Sequence, residues 1–243
     1  MMATSHYELF GFEPFPTVKN GDSIARLIAT EFGSQTLQDG DVVVIASKVV
    51  SIEEHRSVDL RTVLPSPEAE RIGATTGKDA RIIELILQES LSHRLATERG
   101  PIIAMHRLGY ELTSAGIDKG NGDSAYLIPK DPDASARRIR DQLAAAIGVE
   151  VAVIIVDSDG RSDREGAVVL AIGAAGIAPL RLTPKPGTVK MQGETLVDML
   201  AGAAGVILGQ RGRGVPVVAI RGVQFEWSDQ GVQSILHARH ART

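Results

Sequence analysis

The sequence predicts a two-lobed α+β molecule with mixed β-sheets. Two apolar runs rich in β-branched residues, 42–52 and 151–156, read as buried strands, the second continuous enough to be buried on both faces. Helical periodicities at 24–32, 78–95 and 134–147 do not alternate with strands cleanly enough for a regular βαβ series. No internal repeat, low-complexity linker or sharp compositional break divides the 243 residues, a length that suits one large domain or two small ones.

Taken in order, Asn20, Gly21, Asp22 and Ser23 precede a short amphipathic helix in which Ile24, Leu27, Ile28 and Phe32 recur at helical spacing, with Asp22 or Ser23 available as N-cap. Asp39, Gly40 and Asp41 then turn into VVVIASKVVSI, a buried strand expected to stay extended through Ser47 and Lys48. That polar pair is its departure from a plain core strand. Residues 78–95 read as one helix whose Ile82, Ile83, Leu85, Ile86, Leu91 and Leu95 form a broad apolar face. A strand at 101–106 follows, then a loop through Gly109, Gly116, Asp118, Gly120, Asn121 and Gly122. Asp131, Pro132 and Asp133 open a helix over 134–147, with proline near its start and acid in its first turn, and Gly148 ends it. After the strand at 151–156, AVVLAIGAAGIAPL mixes small and branched residues as expected of strands whose backbones approach closely. Residues 182–193 read as a basic loop, 196–204 as a short helix, and ILGQRGRGVPVVAIRGV as a glycine- and arginine-rich turn entering a last strand.

Composition narrows the function classes. An apolar fraction of 43% and a charged fraction of 23% are those of an ordinary globular protein. A net charge of −4 gives no global basic character, so nucleic acid is not expected as a partner, whereas a phosphorylated small molecule needs only a local cluster. The absence of cysteine excludes disulfides, thiolate ligands and a thiol nucleophile and fits a cytoplasmic protein. MMATSHYELF lacks the pattern of a secretory leader, and the apolar runs fall far short of the roughly 20 residues of a membrane span, so no membrane partner is expected.

The chemistry concentrates where the 151–156 run stops in Asp157, Ser158, Gly160, Arg161 and Arg164. A carboxylate held at a rigid strand end beside a hydroxyl offers the hard oxygens that Mg2+ or Mn2+ accepts while retaining waters and substrate phosphates. Arg161 and Arg164 could supply phosphate-binding forks, with Arg164 a candidate catalytic contact. A plain polar turn is the alternative. A strand-end acid of this kind would add little to the core. Two more polar loops stand out, 114–121 and 209–214. In the second, Gly209, Gly212 and Gly214 free backbone N–H groups for phosphate and Arg211 and Arg213 add charge, although no GxxxxGK[ST] is present and a surface turn would read the same. The six histidines show no metal-ligand spacing, and Ser114 lacks the surroundings of a serine hydrolase nucleophile.

In order along the chain, DGDVVVIASKVVS (39–51), SAGIDKGN (114–121), IPKDPDASARRIRDQL (128–143), VDSDGR (156–161) with REG (164–166), AIGAAGI (171–177) and GVPVVAIRG (214–222) resemble the coenzyme F420-0:L-glutamate (γ-glutamyl) ligase family. The resemblance implies a CofE-like, non-Rossmann α+β fold in which 1–243 is a single ligase domain of two intertwined lobes, assembled as a homodimer. It implies a GTP-dependent amide ligation, with Mg2+ or Mn2+ driving phosphoryl transfer from GTP onto the carboxylate of F420-0 or an analogue, and L-glutamate as the attacking amine. It also leaves room for a monovalent cation such as K+. Asp118 and Asp157 then match catalytic first metal ligands, Ser158, standing where the family usually has threonine, matches a metal position beside Asp157, and Gln210 matches a second metal position. Nucleotide-binding positions fall on Phe15, Pro16, Thr17, Val18, Ser47, Asn121, and Leu208, Gly209, Gln210, Arg211, Gly212, Arg213, Gly214 and Val215. This chain departs from the family at Ile52, where a nucleotide-contacting lysine is usual, at Ser162 and Asp163, and in the basic 182–193 segment. Those departures leave open a relative that joins a different acid and amine, or one that only binds nucleotide.

Overall fold

The computed structural model describes residues 6–161, 163–209 and 214–237. In chain order it contains β1 (Glu8–Gly11), α1 (Ile24–Glu31), α2 (Gly33–Thr36), β2 (Val42–Ala46), α3 (Ser47–Glu53), β3 (Ser57–Asp59), α4 (Pro67–Thr76), α5 (Ala80–Glu89), β4 (Ser90–Leu95), β5 (Ile102–His106), β6 (Glu111–Thr113), β7 (Asp118–Lys119), β8 (Ser124–Tyr126), α6 (Pro132–Ile147), β9 (Ala152–Gly160), β10 (Ala167–Ala175), β11 (Leu180–Pro184), β12 (Met191–Thr195), α7 (Leu196–Leu208) and β13 (Val217–Arg221). The two β-branched runs lie side by side: β2 and β9 pair in parallel from Val42 opposite Ala152 to Ala46 opposite Val156.

They form the centre of a five-stranded sheet in the order β1-β13-β2-β9-β10, whose other pairs are antiparallel. Helices α6 and α7 pack against β10, and α1 packs against α6. The start of α6 is fixed as predicted: Asp131 caps it by accepting from the Ala134 N–H, and Gly148 ends it in the left-handed conformation. A second hydrophobic core gathers Ile72 of α4, Ile83 and Ile86 of α5, Ile102 of β5 and Ala125 of β8, with Leu60 and Ile117 from the adjoining turns, beside two three-stranded sheets, β4-β5-β6 and β3-β8-β7. Among the described residues this is a mixed α+β architecture of several sheets with no barrel, and no helix is long and apolar enough to cross a membrane.

Several expectations are corrected. The strand at β2 does not continue through Ser47 and Lys48, because α3 begins there. Its β-branched residues accept the helix since Val50 buries completely and Ser51 Oγ returns a hydrogen bond to the Ser47 carbonyl. The helix expected over 78–95 stops at Glu89. From Ser90 the chain pairs antiparallel with β5, which leaves Leu91 exposed instead of on the helix's apolar face. The loop over 109–122 contains β6, a 3-10 turn at Ser114–Gly116 and β7. The basic 182–193 loop belongs to a hairpin of β11 and β12, in which Arg181 pairs with Glu194. Helix α7 runs on past Ala204 to Leu208. Finally, Asp157 is not at the end of its strand, since β9 continues to Gly160 by pairing with β10. What ends at Val156 is the ladder with β2.

Candidate functional site

That offset between the two strands makes the site. Where β2 gives way to α3, Ser47 becomes the first residue of the helix and its Oγ donates to Asp157 Oδ1 at 2.6 Å. Asp157 is only 6% exposed. The half-buried Asp118 comes from β7, opposite Tyr126 in register. The chain reaches it through Gly116, at φ +68°, where a Cβ would lie 3.0 Å from Asp157 Oδ2 and 2.7 Å from Ile128 Cγ2. Only glycine permits that approach.

The electrostatics follow from this burial. Desolvation pushes the Asp157 carboxyl up to about 7; the Ser47 hydroxyl opposes the rise and the charge of Asp118 adds to it. Asp118 is also raised by burial, with the Lys48 ammonium pulling it back. Lys48 lies with its Nζ 4.8 Å above the Tyr126 ring centroid. Two desolvated carboxylates with one hydroxyl and one ammonium for company are under-neutralised, which suits a hard divalent cation. Among the described residues no third His, Asp or Glu joins them, so the remaining ligands of such an ion would be waters, hydroxyl or substrate oxygens.

Both acids open into a cleft of about 420 Å3. Phe15, Pro16, Thr17 and Val18 line it, as do Ser47, Lys48 and Ile52 from α3, Ser158 beside Asp157, and Leu208, Gly209, Gly214 and Val215 where α7 leads into β13. Residues distant in sequence that were singled out as nucleotide- or metal-binding candidates therefore share one cavity. Asn121 does not line it; it faces a separate depression with Asp59, Arg61 and Asp123, and its carbonyl accepts from Ser124 Oγ. Arg161 and Arg164 do not line it either. Both pair with Asp163 on the exposed turn between β9 and β10, at 3.1 and 2.9 Å, because the hairpin carries them beyond the cleft. Gln210, Arg211, Gly212 and Arg213 lie outside the described residues, as does Ser162.

Lys48 was not singled out as a site residue from the sequence. The available signal was the Ser47-Lys48 pair interrupting an apolar run, and it becomes interpretable only once the strand ends at Ala46 and the helix turns Lys48 into the cleft.

Residues 14–222 match the model of the family described as F420-0:Gamma-glutamyl ligase. Among similar proteins, the coenzyme F420:L-glutamate ligase of Methanothermobacter thermautotrophicus is 42% identical, with 95% of this chain and 96% of that protein covered. The proteins of the same name from Methanopyrus kandleri and Methanocaldococcus jannaschii are 40% and 36% identical, covering 88% and 91% of this chain and 87% and 90% of their own lengths.

Proposed function

The chain belongs to the F420-0:γ-glutamyl ligase family, and from that premise we propose that this ligase joins L-glutamate to coenzyme F420-0 at the expense of GTP. The observation that carries the site reading is the meeting of Asp118 and Asp157 in a cleft walled by the segments 15–18, 208–209 and 214–215.

A carboxylate is a poor acyl donor until one of its oxygens becomes a leaving group. In the proposed reaction a substrate carboxylate oxygen attacks the γ-phosphorus of GTP, GDP departs, and the resulting acyl phosphate takes the amine of glutamate at its carbonyl carbon, releasing phosphate and a proton. A bound Mg2+ or Mn2+ would neutralise charge developing on the transferred phosphoryl group. Asp118 and Asp157 would hold that ion, with the Ser158 hydroxyl nearby and Gln210 assigned by family position. Ser47 orients Asp157 by donating to Oδ1 and so leaves Oδ2 for the ion. Lys48 reaches the same cleft and offers its ammonium to phosphate oxygens. The same reading makes the chain a single-domain, non-Rossmann, cytoplasmic homodimer.

Incubation with F420-0, GTP, Mn2+ and glutamate should release GDP and yield a product heavier by one glutamyl unit, and EDTA should stop both. No product under these conditions would sink the reading. A second reading, a different acid and amine pair, is favoured by apolar Ile52 in the cleft wall and by the arginines of the 161–164 turn staying outside it. It predicts GDP release with another acid and none with F420-0.

A further inference from the structure

The strand bearing Asp118 and the strand bearing Asp157 are not neighbours in any sheet. Among the described residues β7 pairs with β8, and β9 pairs with β2 and β10, so no backbone ladder sets the separation of the two acids. The segment leading to Asp118 is, moreover, one that an L-polypeptide seldom adopts unaided. Ser114, Ala115 and Gly116 follow one another in the left-handed region, at φ 52°, 53° and 68°. Ala115 is fully buried in that conformation. Such a turn persists only where its surroundings over-determine it.

A compact set of hydrogen bonds holds its start. Thr113 donates its backbone N–H to Asp159 Oδ1 at 2.7 Å and its hydroxyl to the same oxygen at 2.5 Å. In return Thr113 Oγ accepts the Gly160 N–H at 2.7 Å. The far side of the turn is closed by the Ile117 N–H to the Ser114 carbonyl at 2.9 Å. Asp159 lies two residues beyond Asp157 on β9, and Asp118 lies two residues beyond Gly116, so this side-chain bridge joins the supports of the two acids.

We propose that Thr113 and Asp159 are positioning residues of the cation site: their clamp locks the left-handed turn and thereby holds Asp118 opposite Asp157. The proposal rests on the reading of those two acids as cation ligands. Outer partners of ligating carboxylates that orient them in this way affect metal affinity without touching the metal.

The test uses the full chain without nucleotide and two measurements: Mn2+ binding by loss of the free-ion electron paramagnetic resonance signal, and hydrogen exchange at the Ile117 amide. Thr113→Val keeps the shape and removes the hydroxyl. It should weaken Mn2+ binding roughly tenfold and speed exchange at Ile117, with the circular dichroism spectrum unchanged. Thr113→Ser restores the hydroxyl and should restore both measurements. Wild-type affinity and exchange in Thr113→Val would overturn the proposal, as would a Thr113→Ser variant that behaves like Thr113→Val. Asp118→Asn separates the two levels of the argument. If it binds Mn2+ like the wild type, the ligand assignment fails. The clamp's control of the turn is then decided by exchange alone, faster in Thr113→Val supporting it and unchanged overturning it.

Discussion

Replacing Asp157 by asparagine should stabilise the metal-free protein at alkaline pH while destroying its cation site. Asparagine retains an oxygen for the Ser47 hydroxyl, so the substitution removes charge and little else. The folded carboxyl holds its proton up to about pH 7, against an ordinary value of 3.8. A raised folded value means that the stabilising contribution is complete below about pH 4 and is lost as pH climbs through about 7. The gap between those values, at ~1.36 kcal/mol per pH unit, bounds the loss at ~4 kcal/mol. In EDTA at pH 8, Asp157→Asn should therefore exceed the wild type in urea-unfolding stability by up to that amount, and the difference should shrink towards zero near pH 4. Mn2+ at a hundredfold excess over its Kd should then return ~2.7 kcal/mol to the wild type alone. A pH-independent difference between the two proteins in EDTA, or a variant less stable than the wild type at pH 8, would refute the account of Asp157 as a buried charge awaiting a cation.

Ile52 lies four residues after Lys48 on α3 and both line the cleft, so Ile52→Lys should place a second ammonium beside the first. GTP binding measured by calorimetry should tighten by about 1.5 kcal/mol, roughly tenfold, and unchanged affinity would show that this position does not face phosphate. Asp133 is 5% exposed and accepts backbone N–H groups from Ala174, Val232 and Gln233 at 2.8, 2.8 and 3.0 Å. Asp133→Ala should cost ~3 kcal/mol or more by stranding those donors, and a loss under ~1 kcal/mol in denaturant titration would mean that water replaces the carboxylate.

The parts of the fold legible in the sequence were those where local and tertiary demands agree. The central strands declared themselves by their apolar β-branched runs, and α6 by Asp131, Pro132 and Gly148 at its ends. Helix α3 was hidden because Val49, Val50 and Ile52 favour extended backbone, and what favours the helix is tertiary, the burial of Val50 together with that of Ser47 and Ser51. Strand β4 was hidden because Leu91 and Leu95 extend the periodicity of α5 by chance, whereas the register with β5 lies in another part of the chain. The end of an apolar run was mistaken for the end of a strand at Asp157, since a cross-strand partner at Leu170 is invisible to any local pattern.

For the site, the residue types were legible and their relation was not. Val156, next to Asp157, belongs to the core around β2 and β9, while Ile117, next to Asp118, belongs to the core around α4 and α5. Each acid is thus carried to the cleft by a different core, and spacing in the sequence says nothing about their separation. The same geometry explains why Arg164, close to Asp157 in sequence, does not reach the cleft. Asp157 sits one residue past the end of the ladder with β2 and is held by the Ser47 hydroxyl, whereas Arg164 rides a hairpin turn that extends beyond it. Since no ladder joins the strands that carry the acids, their separation has to be maintained by side chains such as Thr113 and Asp159 and, on the reading proposed above, by the cation they share. Occupancy of that position would tie two cores together, so metal binding should stabilise residues around Ile117 and around Val156 alike.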